Sequence, residues 1–173
     1  TQVLHQELPL DRILVNNTTK YDGYNLDHTV PATLPEIVND GDVIEVYYTK
    51  RTDLSYTVNY LEKDTNEVIH TQKVARATFE QTINAADEVI TIAGYNYDSN
   101  SRETLTISSD ETQNVLDIFY TKKTDIEYTV NYLEKGTENV LHTSKQGAAI
   151  FDDVIHASDE IIDIDGYTHD SNN

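Results

Sequence analysis

The octapeptide Tyr56-Thr57-Val58-Asn59-Tyr60-Leu61-Glu62-Lys63 (YTVNYLEK) returns letter for letter at Tyr128 to Lys135. Its side chains alternate, with Tyr56, Val58 and Tyr60 on one side and Thr57, Asn59 and Glu62 mostly on the other, the period of two that marks a strand with one face buried. Asp64-Thr65-Asn66 supplies turn chemistry, and Glu67 to Ala75 then reads as the returning strand of a hairpin.

Outward from the octapeptide, a shift of 72 residues aligns 56–100 with 128–172 without a gap. Phe79 meets Phe151, and Gly94-Tyr95 with Asp98-Ser99-Asn100 meets Gly166-Tyr167 with Asp170-Ser171-Asn172. The first fifty residues form a third, more diverged copy: Val3-Leu4-His5, then Gly23-Tyr24 with Asp27, then VIEVYYTK (43–50) against VLDIFYTK (115–122). The expected domains are therefore 1-50, lacking its first strand, 56-122, complete, and 128-173, lacking its C-terminal strands. A period this long exceeds that of solenoid units sharing one core, so each copy is expected to close around its own interior, the copies following one another in an elongated row. The connectors, Arg51 to Ser55 and Lys123 to Glu127, contain neither Gly nor Pro and place Leu54 and Ile126 alike, which predicts semi-rigid joins.

Inside the middle copy, Phe79 to Ile90 (FEQTINAADEVI) spaces Phe79, Ile83, Ala86 and Ile90 at helical intervals and predicts a short helix. Gly94-Tyr95 reads as a bend leading into a polar stretch through Arg102. Glu103 to Ser108 and Val115 to Lys122 alternate as two further strands. The order strand, strand, helix, strand, strand predicts an α+β, strand-rich unit with a mixed sheet over one short helix.

Twelve Lys and Arg against 31 Asp and Glu leave a net charge of −19, which repels phosphate backbones and anionic membrane surfaces and argues against nucleic acid as a partner. No apolar run approaches the ~20 residues of a membrane helix. The chain starts at Thr1 in mid-pattern, without a basic-then-apolar leader, which predicts a piece of a longer protein. Cys, Met and Trp are absent, so disulfides, thiol catalysis and sulfur-ligated metals play no part.

Tyr supplies twelve of the fifteen aromatics. Tyr56 and Tyr128, Tyr60 and Tyr132, Tyr95 and Tyr167, and Tyr48 and Tyr120 recur with the repeat and are expected to pack; Tyr97, which faces Leu26 and His169 in the other copies, is the expected exposed contact. His5, His70 and His142 share one position, one per copy, and cannot converge on one ion, so a strand-surface role is expected and no metal. Asp98 to Glu103 has alternating oxygen donors but lacks the Gly and Glu of a calcium loop, and the first copy replaces it with Asp27-His28-Thr29-Val30-Pro31, so a turn is expected. Asp87-Glu88, Asp159-Glu160 and Asp152-Asp153 are neighbours on a polar face, and no nucleophile elbow, zinc-protease or phosphate-loop motif occurs, so the chain reads as non-enzymatic, without cofactor. A self-formed Lys–Asn or Thr–Gln crosslink is neither supported nor opposed by the composition.

YTVNYLEK, the later Gly-Tyr, the Ser/Thr-rich polar stretch and the closing VLDIFYTK, in that order, resemble the MucBP (mucin-binding protein) repeats of Gram-positive surface proteins along essentially the whole chain. The resemblance implies tandem β-grasp, ubiquitin-like repeats, export, cell-wall attachment and, in some members, binding to mucin. It makes a repeat segment of an adhesin for host mucin or another glycoprotein the leading expectation, and a structural stalk that projects a separate binding domain the alternative. Which residues would touch a ligand is unknown from the sequence. Unpaired strand edges at the two incomplete copies are expected to favour self-association.

Overall fold

A computed structural model describes residues 21–33, 35, 37 and 39–170. Val3-Leu4-His5 and Ser171-Asn172 of the repeat alignment lie outside them. The described residues form ten strands: β1 (Tyr24–Val30), β2 (Glu45–Lys50), β3 (Leu54–Glu62), β4 (Val68–Ala77), β5 (Thr82–Asn84), β6 (Tyr95–Asn100), β7 (Thr104–Thr106), β8 (Val115–Lys122), β9 (Ile126–Leu133) and β10 (Val140–Ala149). They make a four-stranded sheet in the order β4-β3-β8-β6 and three two-stranded sheets, β1-β2, β5-β7 and β9-β10. The chain divides into two compact units, one of Thr1–Asn59, Thr71–Glu88 and Asn100–Asp117, the other of Tyr60–His70, Val89–Ser99 and Ile118–Asn173.

In the first unit the core collects every second residue of the strands, Leu54, Tyr56 and Val58 from β3 with Ile83, Leu105 and Leu116 from β5, β7 and β8. The amide of Thr57 donates to the carbonyl of Asn114 (2.9 Å), and two residues further on the Asn59 side chain donates to Asp117 (2.8 Å). Residues advancing together in this way make β3 and β8, the first and last strands of the middle copy, a parallel pair, which requires the long intervening crossover. Asn114 fastens the start of β8: fully buried, it accepts from the Ser108 amide (2.8 Å) and donates to the carbonyls of Ser55 (3.1 Å) and Ser108 (2.9 Å). The first unit also holds the β1-β2 hairpin pair, antiparallel from Tyr24 against Lys50 to Val30 against Glu45, with a bulge between Leu26 and His28.

The second unit buries Tyr60, Ile92, Ile118 and Tyr120. The Glu62 amide donates to the Glu67 carbonyl at the tight turn from β3 to β4, where Asn66 takes a φ of 58°. In the same unit β9 and β10 pair antiparallel, Leu133 against Val140 and Ile126 against Ala149. The β9 octapeptide keeps the alternation of β3, but its inward positions are only half-buried.

The structure overturns tandem β-grasp repeats with one helix each. No α-helix occurs among the described residues; the segment read as the helix 79–90 is strand β5 followed by a 3-10 turn at Ala85–Glu88. Glu80 adopts a φ of 63°, which no right-handed helix accommodates, and Asp152 in the third copy does the same at 66°. The backbone groups that a helix would satisfy internally go instead to β7: Thr82, Ile83 and Asn84 pair with Thr106, Leu105 and Thr104, and the Ile107 amide donates to the Gln81 carbonyl. Burial consequently falls on Ile83 and Ala85, two apart, while Ala86 is exposed. The third copy likewise has only a 3-10 turn, Ala157–Glu160. A second difference is β6: Tyr95–Asn100, read as a bend and polar stretch, is a strand.

Candidate functional site

The most repeated piece of geometry is a joint between successive copies. At the first, within the first unit, the backbone of Arg51 forms a relay: its amide donates to the carbonyl of Gly23 in the preceding copy (2.9 Å), and its carbonyl accepts from the amide of Phe79 in the following one (2.8 Å). The Phe79 ring then covers Gly23 so closely that a methyl group there would lie 2.4 Å from a ring carbon. Tyr24 meets the same ring edge-on, centroids 5.4 Å apart. Around this contact Lys50 pairs with Glu80 (2.7 Å) and Arg51 with Asp53 (3.1 Å).

The second joint, within the second unit, repeats the pattern with Lys123 in place of Arg51. The Lys123 amide donates to Gly94 (2.9 Å), its carbonyl accepts from Phe151 (2.8 Å), and Tyr95 meets Phe151 edge-on at 5.5 Å. A methyl group on Gly94 would come 2.5 Å from the ring, and Gly94 also has a φ of 80°, a conformation glycine adopts without steric penalty. Sequence reading paired Phe79 with Phe151 and Gly94 with Gly166 as equivalents but did not see that the phenylalanine of one copy seats on the glycine of the copy before it. The signal was present in the spacing of basic residue and phenylalanine, 28 residues from Arg51 to Phe79 and again from Lys123 to Phe151, with a glycine 28 residues before Arg51 and 29 before Lys123.

Beside the second joint lies an open groove of about 310 Å³, lined among others by Ile90, Ile92, Tyr95, Tyr97, Tyr120 and Lys123. Tyr97, the expected exposed contact, stands at its rim, 45% exposed, edge-on to Tyr120 at 6.2 Å. The Tyr120 hydroxyl donates to the Ile90 carbonyl (2.8 Å) and accepts from the Ile90 amide (3.1 Å), and burial pushes its ionisation upward. Burial raises Tyr95 as well. The groove thus offers phenolic rings and the amine of Lys123, and no carboxylate or histidine lines it. Such a surface can stack on a sugar ring or an aliphatic side chain.

The other sequence candidates serve structure. Tyr56 and Tyr128 donate to Glu88 (3.2 Å) and Glu160 (3.1 Å), carboxylates also held by Lys73 and Lys145. Asp87 and Glu88 therefore have different surroundings, Asp87 exposed and accepting from Asn84, but Glu88 is spent on its pair with Lys73 at 2.6 Å. Asp153 accepts from the Ile150 amide. His70 and His142 pack edge-on against Tyr60 and Tyr132, centroids 5.4 and 5.6 Å apart, and His5 lies outside the described residues. Asp98 is bridged to Lys63 at 2.6 Å. Among the described residues no three His, Asp or Glu side chains gather as metal ligands, and no helix is long and apolar enough to cross a membrane. Tyr48 stacks on Tyr21 at 4.9 Å. Comparison with protein-family models and with curated proteins gave no match to this chain.

Proposed function

We propose that this chain is a tandem-repeat segment of a bacterial cell-surface adhesin of the mucin-binding-protein repeat type, exported and attached to the cell wall, with host mucin or another glycoprotein as its partner. The observation that carries the reading is the joint: two successive junctions use the same backbone relay and the same phenylalanine-on-glycine seat, with matching distances. A chain that fixes each copy to the next in this way is suited to holding a binding surface away from its point of attachment. The order of YTVNYLEK, Gly-Tyr and VLDIFYTK supports the family, and the tyrosines that line the groove fit a contact surface.

Within that reading the repeats either touch the ligand or only space it. The joint favours spacing, because it engages Tyr24, Tyr95 and both phenylalanines in packing. The groove at Tyr97 favours contact. The deciding experiment is an array of immobilised mucin and other glycoproteins probed with the present chain and with longer chains of more copies. Contact predicts binding that strengthens with copy number and weakens in Tyr97→Ala; a pure spacer shows no binding at any copy number.

A further inference from the structure

Three glycine–tyrosine pairs occur among the described residues, and only two of them are covered. Gly23 lies under Phe79 and Gly94 under Phe151, whereas a methyl group on Gly166 would meet nothing within 4 Å. Tyr24 and Tyr95 are half-buried against their phenylalanines; Tyr167 is 48% exposed. The third pair nonetheless has the shape of the second. Gly166 has a φ of 81° against 80° for Gly94, and the Tyr167 amide closes a turn on Ile164 at 3.0 Å as Tyr95 does on Ile92 at 3.1 Å. The backbone of the seat is thus already in the conformation that receives a ring, so little ordering opposes its filling.

We infer that Gly166–Tyr167 is a preformed half-joint that accepts the phenylalanine-bearing loop of a further repeat of this type joined in series. The occupant is specified by the two filled joints: a basic residue whose amide reaches the glycine carbonyl and whose own carbonyl holds the amide of a phenylalanine, followed by a residue in the left-handed region, as Glu80 and Asp152 are. A second copy of this chain acting in trans is a weaker candidate, because Phe79 and Phe151 are already seated in their own joints. The inference concerns how copies lock together and stands independently of any mucin contact.

The test extends the chain in register. Asn172 aligns with Asn100, so residues 1–172 followed by residues 101–173 continue the repeat and bring a second Phe151 into the series. Nuclear magnetic resonance of the Gly166 α-protons is the readout, with Gly94 in the same molecule as the filled reference. The expected result is an upfield ring-current displacement of Gly166 in the extended chain, matching that of Gly94, and slowed exchange of the Tyr167 amide. Replacing the added phenylalanine with leucine preserves apolar volume and should abolish the displacement at Gly166 while leaving Gly94 unchanged. Gly166 at its original position in the extended chain, or a displacement that survives the leucine substitution, overturns the inference, as does displacement by mere concentration of the original chain.

Discussion

Phe151 rests its ring face on the backbone of Gly94, with three ring carbons about 2.5 Å from the point where a side chain would begin. Phe79 does the same to Gly23, but Gly23 lacks the positive φ of Gly94. The two joints therefore separate steric cost from backbone strain. Gly23→Ala is expected to destabilise the protein by about 1–3 kcal/mol, the range of overpacking, and Gly94→Ala by about 1 kcal/mol more because its backbone disfavours a side chain. Urea denaturation of the two variants checks the order; negligible losses would remove the steric account of the joint, and equal losses the added strain at Gly94.

Phe79→Ala and Phe151→Ala should each cost about 2–3 kcal/mol, less than the ~3–5 kcal/mol of a fully enclosed ring because both are only half-buried. In a chain carrying Phe151→Ala the amides of Lys123 and of residue 151, which donate to Gly94 and Lys123, should lose protection from hydrogen exchange well before those of Val58 and Leu116 in the first unit.

Asn114→Ala is expected to be the most damaging single polar change. It removes three side-chain hydrogen bonds made by a fully buried group and leaves the Ser108 amide and two carbonyls without that partner, a loss of about 2–4 kcal/mol. Asn114→Asp should be comparably harmful, since its carboxylate faces the Ser55 and Ser108 carbonyls instead of donating to them. Thermal unfolding of both variants beside Asp117→Asn, a half-buried site, provides the comparison.

The pH dependence follows from the paired charges. The guanidinium of Arg51 holds Asp53 below the ordinary carboxyl range, the ammonium of Lys63 does so for Asp98, hydrogen bonds from Thr112 for Asp110, and the ammonium of Lys145 for Glu160. Groups depressed on folding contribute fully above their unfolded values of 3.8 and 4.5 and lose that contribution as pH falls through the folded ones. Lys63, Lys73 and Lys145 are raised by the same contacts, with Asp98, Glu88 and Glu160 respectively, and their contribution holds up to 10.5 and is lost above it. The melting temperature should therefore be flat between about pH 5 and 10 and fall on either side. Asp98→Asn and Glu160→Gln should shallow the acid limb, a difference visible in melts from pH 6 down to 2.

Tyr97→Ala should change stability by less than about 1 kcal/mol, as expected of a side chain nearly half exposed. Its near-native circular dichroism and melt would make any loss of glycoprotein binding attributable to the groove.

The strands were legible where apolar residues alternate without interruption. In β3 and β8 the inward positions Tyr56, Val58, Leu116 and Ile118 are those the pattern selects. The 79–90 segment misled because Phe79, Ile83, Ala86 and Ile90 satisfy a helical spacing, while the deciding fact, a left-handed Glu80 with its neighbours paired to β7, depends on tertiary contacts that local spacing does not encode. β6 was missed for the opposite reason: Tyr95 to Asn100 has too few apolar residues to show a period and is a strand by virtue of pairing with β8. Of the groove, only Tyr97 was foreseen, through its failure to recur; the joint needed residues from two copies to be seen together.

The parallel pairing of β3 with β8 has a mechanical consequence. A pull on the polypeptide from both directions enters the middle copy at the beginning of β3 and leaves at the end of β8, so the two strands are dragged lengthwise past each other. Their rungs must then yield together instead of peeling one at a time, the loading mode in which a ladder of individually modest bonds resists most.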